Sequence, residues 1–378
     1  LVREGVLRYV VCMTFFHHRR NKSAPFLLLF YCCTLIYFTF AISYSFGQST
    51  LEIDDFNAAY LQYGETKNSE PEIAREAARR AYELGKELFG ASSERSAMLA
   101  INYATLIADE SASQSFLDEA VEIYQAVFGF GSETMIDPLM RLGRTLNDQG
   151  KEVLASQYYR RALQLAETHL GPDSSKVGSI EIELGAISLR VGELTEAWER
   201  IQEAKIILSK YTDAGSQSGL TRIELLAGEY FLARNEYQNA IEPLLNSLAK
   251  FERYPGTNVT VRNRIALINA YENLGQQDLA TIQCLAIGEA RRIGENENLR
   301  PVYRARAEEV NTHGIAEGIQ IEFLVDKEGF VKNPRLVSSL TNSVLGQNLL
   351  DLIQRFRFAP RFIDGTVVDS PNQTYIFD

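Results

Sequence analysis

Four cysteines, ten prolines, four histidines and one tryptophan in 378 residues leave little room for several classes of protein. Cys12, Cys32 and Cys33 precede or lie within an N-terminal apolar stretch, so only Cys284 remains beyond it. That excludes an internal disulfide and a thiolate zinc site from the rest of the chain. Beyond the same stretch the only histidines are His169 and His313, just before Gly171 and Gly314, where a helix C-terminus favours them. HExxH, GxSxG and Walker A patterns are absent, and Gly129-Phe130-Gly131 lacks the third glycine and preceding strand of a dinucleotide loop. We therefore expect no enzyme, no metal site and no cofactor. A basic excess is missing too. The net charge is −11, and phosphate recognition needs Lys/Arg in surplus, so nucleic acid is excluded as the main partner.

The charge is unevenly placed. Residues before Gly47 carry Arg3, Arg8, Arg19, Arg20 and Lys22 against Glu4, a net +4, and the remainder carries −15. Residues 26–46 contain no charge and 17 apolar side chains, directly after His17, His18, Arg19, Arg20 and Lys22. Basic flanks stay on the cytoplasmic side, which places the body of the chain across the membrane. Two outcomes fit. The length suits an uncleaved anchor, whereas Ser45-Phe46-Gly47 before Gln48 suits removal of a signal peptide. Membrane contact is expected through residues 26–46 alone.

The strongest signal is internal repetition. LMRLGRTLNDQGKEVLASQYYRRAL from Leu139 aligns without gaps to IEIELGAISLRVGELTEAWERIQEA, pairing Gly143 with Gly185, Gly150 with Gly192 and Ala155 with Ala197, each 42 residues apart. Further copies place Gly228, Asn235 and Ala240, then Ile268, Gly275 and Ala280, at the same points. Leu142 and Leu146, or Leu267 and Tyr271, line one face of a first helix. A glycine, or Asn235, permits a left-handed turn. The alanines let a second helix approach closely, while Tyr159, Ile201, Leu244 and Cys284 fill the space between hairpins, and Trp198 packs against a neighbouring hairpin. Gly90, Gly129 and Gly171 repeat an end signal, giving about six hairpins. These residues resemble the tetratricopeptide repeat, in a long variant of the kinesin-light-chain type. Such arrays bind protein partners in a groove lined by the first helices; Arg144, Asn147, Arg262, Asn269 and Asn273 fall on groove-facing positions and suit a carboxylate or an extended peptide backbone.

After Gly314 the hydrophobic period changes from 3.6 to 2. Ile319, Ile321, Phe323 and Val325 form a half-buried strand, Asp326-Lys327-Glu328-Gly329 a turn, and Phe330 to Val337 a returning strand. Asn348 to Arg355 reads as a helix, and Thr374 to Phe377 as a closing strand. This β-β-α-β segment resembles the C-terminal domain of TonB-family proteins in Pro301-Val302-Tyr303, Ala307, Glu317 to Phe323, Val325-Asp326, Gly329-Phe330-Val331, Val337-Ser338-Ser339, Arg355 to Pro360 and Gly365. Phe356 stands where that family usually has Trp, the family's Pro-rich spacer is replaced by the helical array, and no His lies inside the apolar segment. The resemblance implies contact with an outer-membrane transporter or the cell wall. It also implies β-augmentation at an edge strand, for which Gln373, Thr374, Tyr375, Ile376 and Phe377 are the candidate residues.

The expected fold is mainly α: a tetratricopeptide-type solenoid followed by a small TonB-like α+β domain. The boundaries are 1–47 for the basic head and apolar segment, 48–293 for the array, 294–314 for a linker and entry to the C-terminal domain, and 315–378 for the C-terminal domain itself. The expected function is a bacterial cell-envelope adaptor in the periplasm, either anchored by residues 26–46 or released by cleavage near Gly47. Its partners are expected to be an outer-membrane transporter or a wall-associated protein. The alternatives are an inner-membrane-anchored energy transducer of the TonB type and, beyond it, an enzyme of wall metabolism.

Overall fold

The computed structural model describes residues 52–67, 69–291, 297–305, 318–337 and 344–377. The basic head, the apolar segment at 26–46, the cleavage site near Gly47, His313, Ala307, Glu317, Ser338 and Ser339 lie outside the described residues. Thirteen helices are present among those described. They begin with α1 (52–66), α2 (Pro71–Phe89), α3 (Glu94–Ala104) and α4 (Glu110–Phe128). A 3-10 turn follows at Glu133–Met135, then α5 (Ile136–Asn147), α6 (Glu152–Leu170), α7 (Ser175–Arg190) and α8 (Leu194–Leu208). The run continues with α9 (Ala214–Ala233), α10 (Tyr237–Phe251), α11 (Asn258–Asn273) and α12 (Gln277–Arg291). The chain divides into two compact units at Ile123/Tyr124.

In the first unit α2 buries Ala74, Ala77, Ala78, Ala81 and Gly85 beside Tyr82. Side chains this small bring α3 close enough that a Cβ on Gly85 would overlap Leu99. Ser93 starts α3 by accepting from the Ser96 N–H at 3.1 Å. Tyr82 stacks with Tyr103 and meets Phe116 edge-on; its hydroxyl donates to Glu119 Oε2 at 2.7 Å and accepts from Lys86 Nζ at 2.8 Å.

In the second unit the repeat's physics is visible helix by helix. Ser174, Asp213 and Thr257 cap α7, α9 and α11, each accepting from a backbone N–H three residues on. The turn inside each hairpin is left-handed, at Gly150 (φ 72°), Gly192 (φ 84°), Asn235 (φ 61°) and Gly275 (φ 71°). Ala155, Ala197, Ala240 and Ala280 are buried, as are Tyr159, Ile201, Leu244 and Cys284, none more than 1% exposed. Trp198 stacks on Tyr230 of the next hairpin, ring centroids 4.5 Å apart. Tyr158 is only half-buried, since it faces away from that core.

The C-terminal region contains β1 (Pro301–Tyr303), β2 (Ile319–Val325), β3 (Val331–Leu336), α13 (Val344–Gln354), β4 (Arg357–Phe358), β5 (Arg361–Ile363), β6 (Thr366–Val368) and β7 (Ser370–Phe377). The main sheet is antiparallel in the order β3-β2-β7. Ile319, Ile321, Phe323 and Val325 all point to one face, where α13 adds Leu349, Leu352 and Ile353. The helix starts four residues earlier than its periodicity suggests, and the closing strand reaches back to Ser370. The short pairs β1·β4 and β5·β6 carry no period-2 pattern long enough to read; the turn between the latter is Asp364-Gly365, with both φ angles positive.

This region is seated on the last hairpin. Val302 and Ala359 belong to the same apolar cluster as Leu267, Tyr271, Cys284 and Ile287. Arg357 crosses the junction. It is 1% exposed, pairs with Glu272 of α11, donates from Nη2 to Thr281 Oγ1 at 2.6 Å and to Glu328 O at 3.0 Å, and lies 3.7 Å over the Phe330 ring. Burial raises the Glu272 carboxyl above its usual range, and Arg357 opposes that shift. A Cβ on Gly288 of α12 would overlap the Pro360 carbonyl oxygen.

Candidate partner-binding surfaces

Residues 137, 141 and 144 of α5, with 148 at its C-terminal cap, recur as 179, 183, 186 and 190 in α7, as 222, 226, 229 and 233 in α9, and as 262, 266, 269 and 273 in α11. Spacings of three and four place each set on one helix face. Most charges on this face are already paired with the neighbouring hairpin. Lys176 Nζ lies 2.9 Å from Asp137, and Arg222 holds Glu183 with two contacts at 2.6 and 2.7 Å. Arg262 grips Glu229 in the same two-pronged way, and Arg190 donates to Asn147 Oδ1. These links brace successive first helices.

The five residues expected to grip a partner therefore differ in what they can do. Arg262 is occupied by Glu229 and Asn147 by Arg190; Asn273 Nδ2 donates to Asn269 Oδ1 and to its backbone carbonyl, both at 2.8 Å. Arg144 is exposed and makes no ion pair with any described residue. Arg144 and Asn147 share α5, while the other three share α11, so the fold gathers them in two places rather than one. Beneath Arg144 sits Tyr159, whose buried hydroxyl has no hydrogen-bond partner among the described residues. Burial pushes that phenol's pKa up; Glu183 adds to the shift while Arg144 and Arg222 oppose it. The exposed, unpaired guanidinium of Arg144 can receive a carboxylate, while the buried phenol beneath it stays out of reach of a partner.

The second surface is the sheet edge. Gln320 to Phe323 pair with Ile376 to Gln373, so one side of β7 is used. Ile376 is 51% exposed, while Gln373 and Phe377 point inward and are buried. Toward the start of the strand, Thr374 N–H donates to Asn298 Oδ1 and Leu299 N–H donates to Gln373 Oε1. Sequence reasoning missed Asn298, which has no repeat partner or motif. The acidic partners Glu183 and Glu229 carry a faint signal: opposite charges recur one repeat less about one or two helical turns apart.

Among the described residues no group of three or more His, Cys, Asp or Glu side chains is placed to hold a metal ion, and no helix is long and apolar enough to cross a membrane. No curated protein sequence matches the chain. Among solved structures it is similar to the crystal structure of BtubC (BKLC) from P. vanneervenii, at 13% identity and a TM-score of 0.38, over 68% of this chain and 96% of that one. A family model described as tetratricopeptide repeat matches residues 139–175, which span α5, α6 and the start of α7, so the second unit carries a tetratricopeptide repeat and a surface of the kind that binds proteins.

Proposed function

We propose that this chain is an exported cell-envelope adaptor. Its helical repeats hold one protein through the first-helix face around Arg144, and its C-terminal sheet contacts a second, an outer-membrane transporter or wall-associated protein, by accepting an extended strand at β7. The observation that carries the reading is the strand order β3-β2-β7, which leaves β7 outermost among the described strands, with Ile376 exposed. The other outer strand suits strand addition less: β3 holds Pro334, the left-handed Asn333 and a bulge, features that blunt an edge.

A photo-crosslinking amino acid at position 376, and another at position 148, one helical turn from Arg144 on the same face, test the adaptor reading in cells. Two different captured proteins support it; capture at neither position overturns it. The runner-up, an inner-membrane-anchored TonB-type transducer, draws support from the length of the apolar segment at 26–46. Sequencing the N-terminus of the native protein separates the two, since a mature chain beginning near Gln48 removes the anchor that a transducer needs.

A further inference from the structure

The outer edge of β7 is not bare along its whole length. The Thr374 N–H points away from β2 and donates to Asn298 Oδ1 at 3.2 Å, while Asn298 Nδ2 donates to Thr374 Oγ1 at 2.5 Å. One residue on, Leu299 N–H donates to Gln373 Oε1 at 2.7 Å, and its side chain is buried in the domain core with Ile319 and Phe377. One residue back, the Glu297 carbonyl accepts from Arg361 Nη2 at 2.6 Å. The backbone on both sides of Asn298 is therefore anchored, by Arg361 on one side and by the inward-facing Gln373 side chain of β7 on the other, and it is the Asn298 amide that meets the outward-facing Thr374 N–H. Its amide oxygen stands where the carbonyl of an added strand would accept. Ile376, two residues along the same edge, shares that outward orientation and has no such cover among the described residues.

We propose that Asn298 is a removable stopper on β7: its amide fills the ladder position at Thr374, and a partner's extended strand takes both Thr374 and Ile376 only once that side chain has swung away. This rests on the strand-addition reading above. The ligand is a peptide backbone in extended form, with an apolar side chain beside Ile376, because residues directly opposite on one sheet face pack together. Two neutral hydrogen bonds hold the stopper, so removing it raises strand affinity about tenfold to a hundredfold. The anchors at Glu297 and Leu299 stay in place, and opening needs a side-chain rotation and the loss of those two hydrogen bonds but no backbone movement.

The test uses the full chain and Asn298→Ala. In hydrogen exchange the Thr374 amide speeds up about tenfold in the variant, while the Tyr375 amide, bonded to β2, does not change. An unchanged Thr374 amide, or equal acceleration at both positions, overturns the proposal, the latter because Asn298 would then be holding the strand as a whole. The binding probe is a displayed library of random nine-residue peptides, selected against both chains and against each with Ile376→Pro. That substitution removes an outward N–H that the sheet does not use, and an edge strand tolerates it. Binders recovered more strongly by Asn298→Ala and lost with Ile376→Pro support the stopper. Equal recovery by both chains, lost with Ile376→Pro, overturns the stopper and leaves strand addition standing. Binders indifferent to Ile376→Pro overturn strand addition at β7 and the stopper with it.

Discussion

Glycine does two jobs in the repeat, and only one is written in the local sequence. The turn positions 150, 192, 235 and 275 are legible because Gly and Asn are the residues that take positive φ without strain. Gly143, Gly185 and Gly228 sit mid-helix, where glycine lowers helix stability, and the reason appears only when the second helix is in place. A Cβ on Gly143 would stand 3.0 Å from the Tyr159 ring, and one on Gly228 would overlap the branch point of Leu244, yet one on Gly185 would rest at an ordinary 3.4 Å from Arg200 and Ile201. Equivalent substitutions should therefore part company. Gly228→Ala loses about 1–3 kcal/mol to overpacking. Gly185→Ala is neutral or gains up to about 1 kcal/mol of helix propensity. Urea unfolding of the two variants checks this, and equal destabilisation would show that the spacing at 185 is tighter than described.

At the scale of elements, sequence reading identified the helices, the main strands and the change of period between them, because each repeats over several residues. It did not identify the junction, where Glu272 and Arg357 meet across 85 residues and short strands β4 and β5 follow no pattern. Breaking one half of a buried pair strands the other charge, so Arg357→Met should cost about 3–5 kcal/mol, and adding Glu272→Leu should return part of that loss. A double variant no better than Arg357→Met alone would show that the guanidinium's contacts to Thr281 and Glu328 matter more than the ion pair. Cys284 reports on the same seam. Its thiol is fully buried, and burial pushes its pKa up to about 12, so it should resist alkylation at pH 8 in the intact chain. Peptide-resolved mass spectrometry should find Cys284 labelled faster in Arg357→Met, and in Gly288→Ala, whose new methyl meets the Pro360 carbonyl. Slow labelling in both would show that the seam survives these changes.

For the molecule as a whole, the −15 from Gly47 onward is carried chiefly by the helices, and the paired first-helix face shows that much of this charge braces neighbouring hairpins. Among the described residues, Arg144 is a cation on that face left free for a partner. Its substitution by Glu should abolish crosslinking at that face without lowering stability, and retained capture would move the binding surface elsewhere on the repeats. The junction with the sheet region has a further consequence, for how such a chain can lengthen. Repeat proteins grow by duplicating units, but the final hairpin here is keyed to the sheet region by Glu272, Thr281 and Gly288. A new hairpin added after Arg291 would part those residues from Arg357 and Pro360. One inserted between Phe251 and Asn258 would keep the keyed hairpin last. Variants carrying a copy of residues 214–256 at each site should separate cleanly by solubility, and the chain's evolutionary history of gained and lost hairpins should be confined to the upstream side of α11.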